Sequence, residues 1–291
     1  MSDPADTVVS THIRQTRLRV AAADAEVLAD RLWGYGVAAI EEIACGDGRI
    51  ELRTVVGELA LDELSADFSG PLDIEIVNVN ATPAETWREF AQPVRLGTLV
   101  LCPAWLTVTD MSATDQVVMI EPGGSFGLGD HPTTMMAAEQ VARYVTSGSV
   151  VLDVGAGSGV LSIVAAQLGA SVVATEISTV AIDAMGHNLV LNHVADQVRV
   201  VHTDNLDGVM GEGEADLVVA NISAQVLRPM MSDLVARCRI GGHIIMTGVL
   251  ADQNHEVDTV AIRNGARIIE RIRNHAWECL VAVRDAVSSG R

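Results

Sequence analysis

The chain has 291 residues, 49% of them hydrophobic, enough for one large domain or two unequal ones. Its 38 acidic residues outnumber 19 basic ones, all arginine, for a net charge of −19. That balance argues against bare nucleic acid or an anionic membrane as partner and favours a basic one. In chain order, Met1 to Ser10 is polar and acidic and has no basic start or apolar run, so a short loose tail is expected rather than a secretory signal. Residues Thr16 to Val20 alternate like a strand. Ala25, Leu28 and Leu32 make one apolar stripe on a helix that Gly34 and Gly36 end. Strands are expected over Val37–Ala44 and Arg49–Val56, joined by the turn signal Gly46-Asp47-Gly48. A helix over Glu58–Phe68 and a strand over Leu72–Val77 complete β-α-β-β-α-β, the split, ferredoxin-like α+β pattern. Nothing in residues 1–79 looks catalytic, and binding a macromolecule is the expected task.

Residues 80–116 read as a linker. A short helix is expected over Thr86–Phe90, with extended pieces at Leu99–Leu101 and Leu106–Val108 either side of Pro103. A glycine-dense loop, Glu121 to Pro132, precedes a helix over Thr133–Val145. From there strands and helices alternate. Strands are expected at Val150–Val154, Ser171–Glu176, Val198–His202, Asp216–Asn221, His243–Val249, Ala266–Arg273 and Trp277–Arg284. Helices are expected at Gly159–Leu168, Thr179–Asn192, Ala224–Arg237 and Asp252–Asn264. This is an α/β, doubly wound, mostly parallel seven-stranded sheet over residues 117–291. Only a short turn separates the last two strands, so they pair antiparallel at one edge.

No segment approaches the ~20 apolar residues of a membrane span. Cys45, Cys102, Cys238 and Cys279 are scattered without a C-x-x-C pair. No metal site or disulfide framework is expected, and a reducing cytoplasm is the expected location. The absence of lysine fits the arginine codons of a GC-rich genome.

The strongest motif is Val151-Leu-Asp-Val-Gly-Ala-Gly-Ser-Gly159. An apolar strand runs into Gly155, Gly157 and Gly159, which let the backbone turn sharply and approach a ligand. The G-x-G-x-G spacing differs from the G-x-G-x-x-G that cradles a pyrophosphate. Asp153 would oppose a pyrophosphate but suits the amino group of an amino-acid-like ligand. Glu176 ends the next strand, about 20 residues on, where an acid binds ribose hydroxyls; it is expected to bridge two of them. Together these point to an adenosine ligand without phosphates, S-adenosylmethionine (SAM). Asp204 follows the third strand, near the expected adenine. Asn221 ends the fourth, where strand ends line the crevice of such sheets.

The loop Glu121-Pro-Gly-Gly-Ser-Phe-Gly-Leu-Gly-Asp-His-Pro-Thr-Thr134 resembles the Gly-rich, His-Pro-Thr-Thr signature of the family that methylates ribosomal protein L-eleven of the large subunit. Asp153 to Gly159 and Val218 to Ile222 resemble its cofactor loop and Asn-Ile segment. Trp87, Pro93, Arg95, Gly97, Pro103 and Trp105 fit its joining region, and Trp277 its last strands. The resemblance covers nearly the whole chain. It implies SAM-dependent methylation of protein amines, lysine side chains and an N-terminal amine, with the front domain gripping a basic ribosomal protein. It also places cofactor contacts on Thr134, Gly155, Glu176 and Asn221. The chain departs from the family at Leu128, Asp130 and Ser223, and by carrying Glu176 in place of aspartate.

Methylation requires a neutral amine aligned with the methyl donor. Asn221 is the candidate to orient amine or cofactor. His131 is read either as a proton acceptor or as a structural anchor, and Asp130 either as an attractor of a cationic amine or as a helix cap. A small-molecule methyltransferase with the front domain as lid, a nucleotide-binding oxidoreductase and a SAM-binding regulator without activity are the other readings; the glycine spacing disfavours the second.

Overall fold

The computed structural model describes residues 12–34, 37, 40–56, 61, 64, 68, 70–80, 91–121, 129–251 and 253–286. Its internal contacts divide the chain into two units, Met1–Ala91 and Gln92–Arg291. The expected tail at Met1–Ser10, Gly36, the short helix at Thr86–Phe90 and most of the helix at Glu58–Phe68 lie outside the described residues.

The first unit contains β1 (His12–Ala21), α1 (Ala25–Gly34), β2 (Glu41–Ala44), β3 (Arg49–Thr54) and β4 (Asp73–Asn80). The sheet order is β2-β3-β1-β4, with every neighbouring pair antiparallel. β1 and β2 therefore run the same way with β3 between them, the split βαβ arrangement. Period two puts Leu18 and Val20 on one face of β1. They join Leu28 and Leu32 of α1, Leu52 of β3, and Leu61 and Leu64 in one buried core. Val37 was expected to open β2; it is buried in that core ahead of the strand. The other face is polar: Arg19 bonds Glu51 and Glu75, and Arg53 shares Glu51.

The second unit opens with a small sheet that was not foreseen. β5 (Val94–Leu96) and β6 (Leu99–Pro103) form an antiparallel hairpin, and β7 (Gln116–Ile120) lies parallel to β6. The extended piece expected at Leu106–Val108 is absent. There the chain turns, Leu106 N donating to Pro103 O, before crossing back to start β7.

The main elements follow: α2 (Pro132–Tyr144), β8 (Val150–Val154), α3 (Val160–Gln167), β9 (Ser171–Glu176), α4 (Thr179–Leu191), β10 (Val198–His202), β11 (Ala215–Asn221), α5 (Ala224–Arg237), β12 (Cys238–Leu250), α6 (Asn254–Arg263), β13 (Ala266–Asn274) and β14 (Trp277–Arg284). The seven-stranded sheet runs β10-β9-β8-β11-β12-β14-β13. β14 pairs antiparallel with both β12 and β13, so it alone is reversed. The antiparallel pair expected at one edge is present, with β13 outermost and β14 slotted inside it. β12 begins earlier than His243 because its register jumps: Ala215 faces Cys238, whereas Leu217 faces His243.

β8 is central, and its residues Val151 to Val154 are all buried, as a parallel strand covered on both faces requires. From β8 the chain winds outward through β9 and β10, then returns to place β11 on the other side of β8. The ends of β8 and β11 therefore flank the topological switch point, where ligands bind in open α/β sheets. Among the described residues no helix is long and apolar enough to cross a membrane.

Candidate cofactor and substrate crevice

The glycine loop leaves β8 and enters α3 at this switch point. Gly155 has φ +69° and Gly159 +83°, a region side chains rarely tolerate. Space demands glycine as well. A Cβ on Gly155 would lie 2.5 Å from Cγ2 of Ile222, and one on Gly159 would lie 2.6 Å from Cγ of Met185. The loop is thus clamped between the residue after β11 and α4.

Glu176 ends β9 and turns its carboxylate back onto that loop. Oε2 accepts from Gly157 N at 2.9 Å. Oε1 accepts from Ile177 N at 2.8 Å and from Ser178 N at 2.9 Å. Three backbone donors hold one acid, so the side chain is fixed before any ligand arrives. Ile177, beside it, is 65% exposed. Nothing in the sequence reading had singled it out, although an aliphatic residue directly after a strand-end acid was the available signal.

Asp153 is 1% exposed. Its Oδ2 accepts from Ser162 Oγ at 2.6 Å, while Oδ1 has no hydrogen-bond partner among the described residues. Burial raises its pKa from 3.8 to about 6; the Ser162 bond opposes the rise and the charge of Glu176 adds to it. Asp204, after β10, is exposed and accepts from Asn205 Nδ2.

The opposite wall comes from α2 and β11. Thr134, in the first turn of α2, is fully buried. Asn221 Nδ2 donates to Thr134 Oγ1 at 3.4 Å. Two residues 87 apart in sequence are thereby brought together. Among the described residues the Asn221 amide oxygen has no partner. His131 is the N-cap of α2: its Nδ1 accepts from Thr133 N at 3.3 Å and lies 2.7 Å from Thr133 Oγ1. Its ring meets Trp277 edge-on at 5.2 Å. Burial lowers its pKa to about 4. The cap considered for Asp130 therefore belongs to its neighbour, and Asp130 is exposed. Leu128 lies outside the described residues. Ser223 is the N-cap of α5 but makes no side-chain cap bond.

Residues 60–285 match the family model described as Ribosomal protein L11 methyltransferase (PrmA). The chain belongs to this family. An L11 methyltransferase of Exiguobacterium sp. is 37% identical over 216 residues, covering 73% of this chain and 68% of the relative. That of Bacillus subtilis is 35% identical over 201 residues, covering 68% and 64%. The crystal structure of ribosomal protein L11 methylase from Lactobacillus delbrueckii subsp. bulgaricus superposes with TM-score 0.62 and 30% identity, over 67% of this chain and all of that one. The chain is accordingly a SAM-dependent methyltransferase. The crevice suits such a cofactor. It holds a buried carboxylate oxygen lacking a donor, a pre-set acid at a strand end and an exposed aliphatic side chain beside it. A zwitterionic amino acid joined to an adenosine can use all three.

Proposed function

We propose that this chain methylates amines of ribosomal protein L11, using SAM held at the ends of β8, β9 and β11. When bound, SAM supplies a methyl group on a positively charged sulfur. Asp153 Oδ1 would take the cofactor's ammonium group, which answers a buried oxygen that lacks a donor among the described residues. Glu176 would take ribose. Each carboxylate oxygen has about two acceptor positions. Three of the four are filled by backbone, so one hydroxyl fits on Oε2 and the expected bridging of two requires the Gly157 bond to open. Ile177 offers an apolar face for adenine, with Asp204 at the rim. Gly155, Gly157 and Gly159 let the cofactor lie close to the backbone.

Asn221 carries the functional reading. Its amide nitrogen is anchored on Thr134, and its oxygen remains available at the switch point. That oxygen can accept an N–H of the incoming amine and aim the nitrogen lone pair. A lysine amine has a pKa of about 10.4 in water, so it must lose a proton before it reacts; partial desolvation in the crevice lowers that cost. His131 acts as an anchor in this reading, since the helix cap occupies Nδ1 and burial keeps the ring neutral. The front unit grips the protein substrate, and the site of action is the cytoplasm.

The test is direct. The purified chain is incubated with SAM and L11, and the intact mass of L11 is followed. Stepwise methyl additions on L11 are expected. If labelled SAM transfers its methyl only to small molecules of a lysate, the substrate reading falls.

A further inference from the structure

Among the described residues strand β7 has one strand neighbour, β6. Its other edge is paired by side-chain amides from helices. Gln167 Nε2, on α3, donates to Val117 O at 3.0 Å. Asn192 Oδ1 accepts from Met119 N at 2.8 Å, and its Nδ2 donates to Met119 O at 2.7 Å. Asn188, on α4, repeats the pattern at Glu121: Oδ1 accepts from N and Nδ2 donates to O, both at 2.9 Å. Residues 117, 119 and 121 are alternate positions, those that face one edge of a strand. Each carboxamide therefore stands in for a peptide group of a missing neighbour. The rises agree: four residues of helix advance about 6 Å and two residues of strand about 6.6 Å.

Asn188 makes one bond that Asn192 does not. Its Nδ2 also donates to Ser158 O, in the glycine loop, at 2.9 Å. The second Nδ2 bond of Asn192 goes back to Asn188 O. Asn188 is wholly buried, so none of these bonds is replaced by bulk water. We infer that Asn188 is a positioning residue for SAM, because one side chain ties the glycine loop at Ser158 to Glu121, from which the chain runs to the His131–Thr134 wall. The inference rests on the glycine loop being the SAM site.

The test compares Asn188→Leu with Asn192→Leu in the full chain. Leucine has a similar size and no donors or acceptors, and each change strips three backbone groups of a partner. Both variants should lose stability to a similar extent. Only Asn188→Leu should bind SAM more weakly, by roughly tenfold in calorimetry. Its KM for SAM should rise by the same factor, with kcat at saturating SAM within about twofold of the parent. Equal loss of affinity in both variants, or none at Asn188, overturns the inference. Glu176→Ala runs in parallel: if it too binds SAM like the parent, the location of the site is wrong, and the failure lies there. In the unaltered protein SAM should slow amide exchange at Glu121 more than at Met119. Equal slowing, or none, counts against the inference even if a variant does not fold.

Discussion

The two walls of the crevice are built on different terms. The wall from β8 and β9 is finished before a ligand arrives: Glu176 is held by three backbone N–H groups, and Gly155 and Gly159 sit where a Cβ would strike Ile222 and Met185. The wall from α2 and β11 is looser. Thr134 and Asn221 share one bond of 3.4 Å, and the Asn221 amide oxygen has no partner among the described residues. A wall that recognises one fixed shape gains from being rigid, since no ordering is needed on binding. A wall that must accept an amine needs an acceptor still open. Asp153 is the exception on the first wall, with one buried oxygen that nothing in the described protein satisfies.

That exception gives the largest expected effect. The pKa of Asp153 is raised from 3.8 to about 6, so ionising it costs stability that the unfolded chain does not lose. The cost is absent below about pH 4 and grows as pH rises through 6. Two pKa units correspond to roughly 3 kcal/mol. Asp153→Asn removes this dependence, so its stability relative to the parent should increase by up to that amount between pH 4 and pH 7. His131 works in the opposite sense. Its pKa is lowered from 6.5 to about 4, so the parent loses stability as pH falls across that window. His131→Asn, which keeps a capping oxygen, should not. The two effects oppose each other in the parent, so urea unfolding of the single variants against pH is needed to see either. A pH-independent difference for Asp153→Asn would mean that Oδ1 is already satisfied.

The second wall should answer in turnover. Asn221→Ala removes the oxygen proposed to orient the amine, and misplacement of about 1 Å can cost roughly a hundredfold in rate. SAM affinity and thermal stability should change little, because the rest of β11 stays apolar and buried. Single-turnover methylation measures this. A normal rate would leave Asn221 as a strand terminator. Thr134→Val should give a smaller loss, since the amide stays in place but can rotate.

Glu176→Ala should act on binding. Removing a charge-assisted contact to ribose should weaken SAM by about tenfold or more. It also leaves three backbone donors without their acceptor, so stability falls too. Calorimetry at a temperature where the variant remains folded separates the two, and unchanged affinity would remove Glu176 from the site.

How much of this was legible in the sequence follows from the range of the interactions. β8, β9, β10 and β14 have the bounds that their apolar patterns suggest. Local chemistry writes itself into local sequence. β5 and β7 were missed because Val94–Leu96 is too short to show a period, and Gln116–Ile120 becomes a strand by pairing with β6 and with amides from α3 and α4. Asn188 lies in α4 and Asn192 is its C-cap, and their four-residue spacing carries no sign of the strand they meet. For the start of α2, the sequence offered Asp130 as the capping candidate and His131 only as an anchor or proton acceptor, and the observed bond from Thr133 N decides that His131 is the cap. The meeting of Thr134 with Asn221 depends on α2 packing against β11, which no single motif states.

The smallest expected effect contrasts the crevice with the surface around it. SAM contacts are proposed to be short and inside the crevice, where salt screens little. Capture of the protein substrate begins at long range, and the enzyme carries net charge −19. A basic ribosomal protein should be drawn toward that field, and the attraction falls with ionic strength. The Debye length shrinks from ~30 Å at ~0.01 M salt to ~10 Å at ~0.1 M. Across that range kcat/KM for L11 should fall several-fold, of the order seen for steered encounters, while the Kd for SAM changes by less than about twofold. The front unit complicates the expectation in a useful way. On its polar sheet face Arg19 and Arg53 are already matched by Glu51 and Glu75, so that face is internally paired rather than uniformly acidic. If capture proves insensitive to salt, recognition rests on paired, short-range contacts of this kind, and the net charge of the chain does not steer its substrate. If SAM affinity falls as steeply as capture, the cofactor pocket is more open to solvent than the burial of Asp153 and Glu176 implies, and the contrast between the two walls is lost.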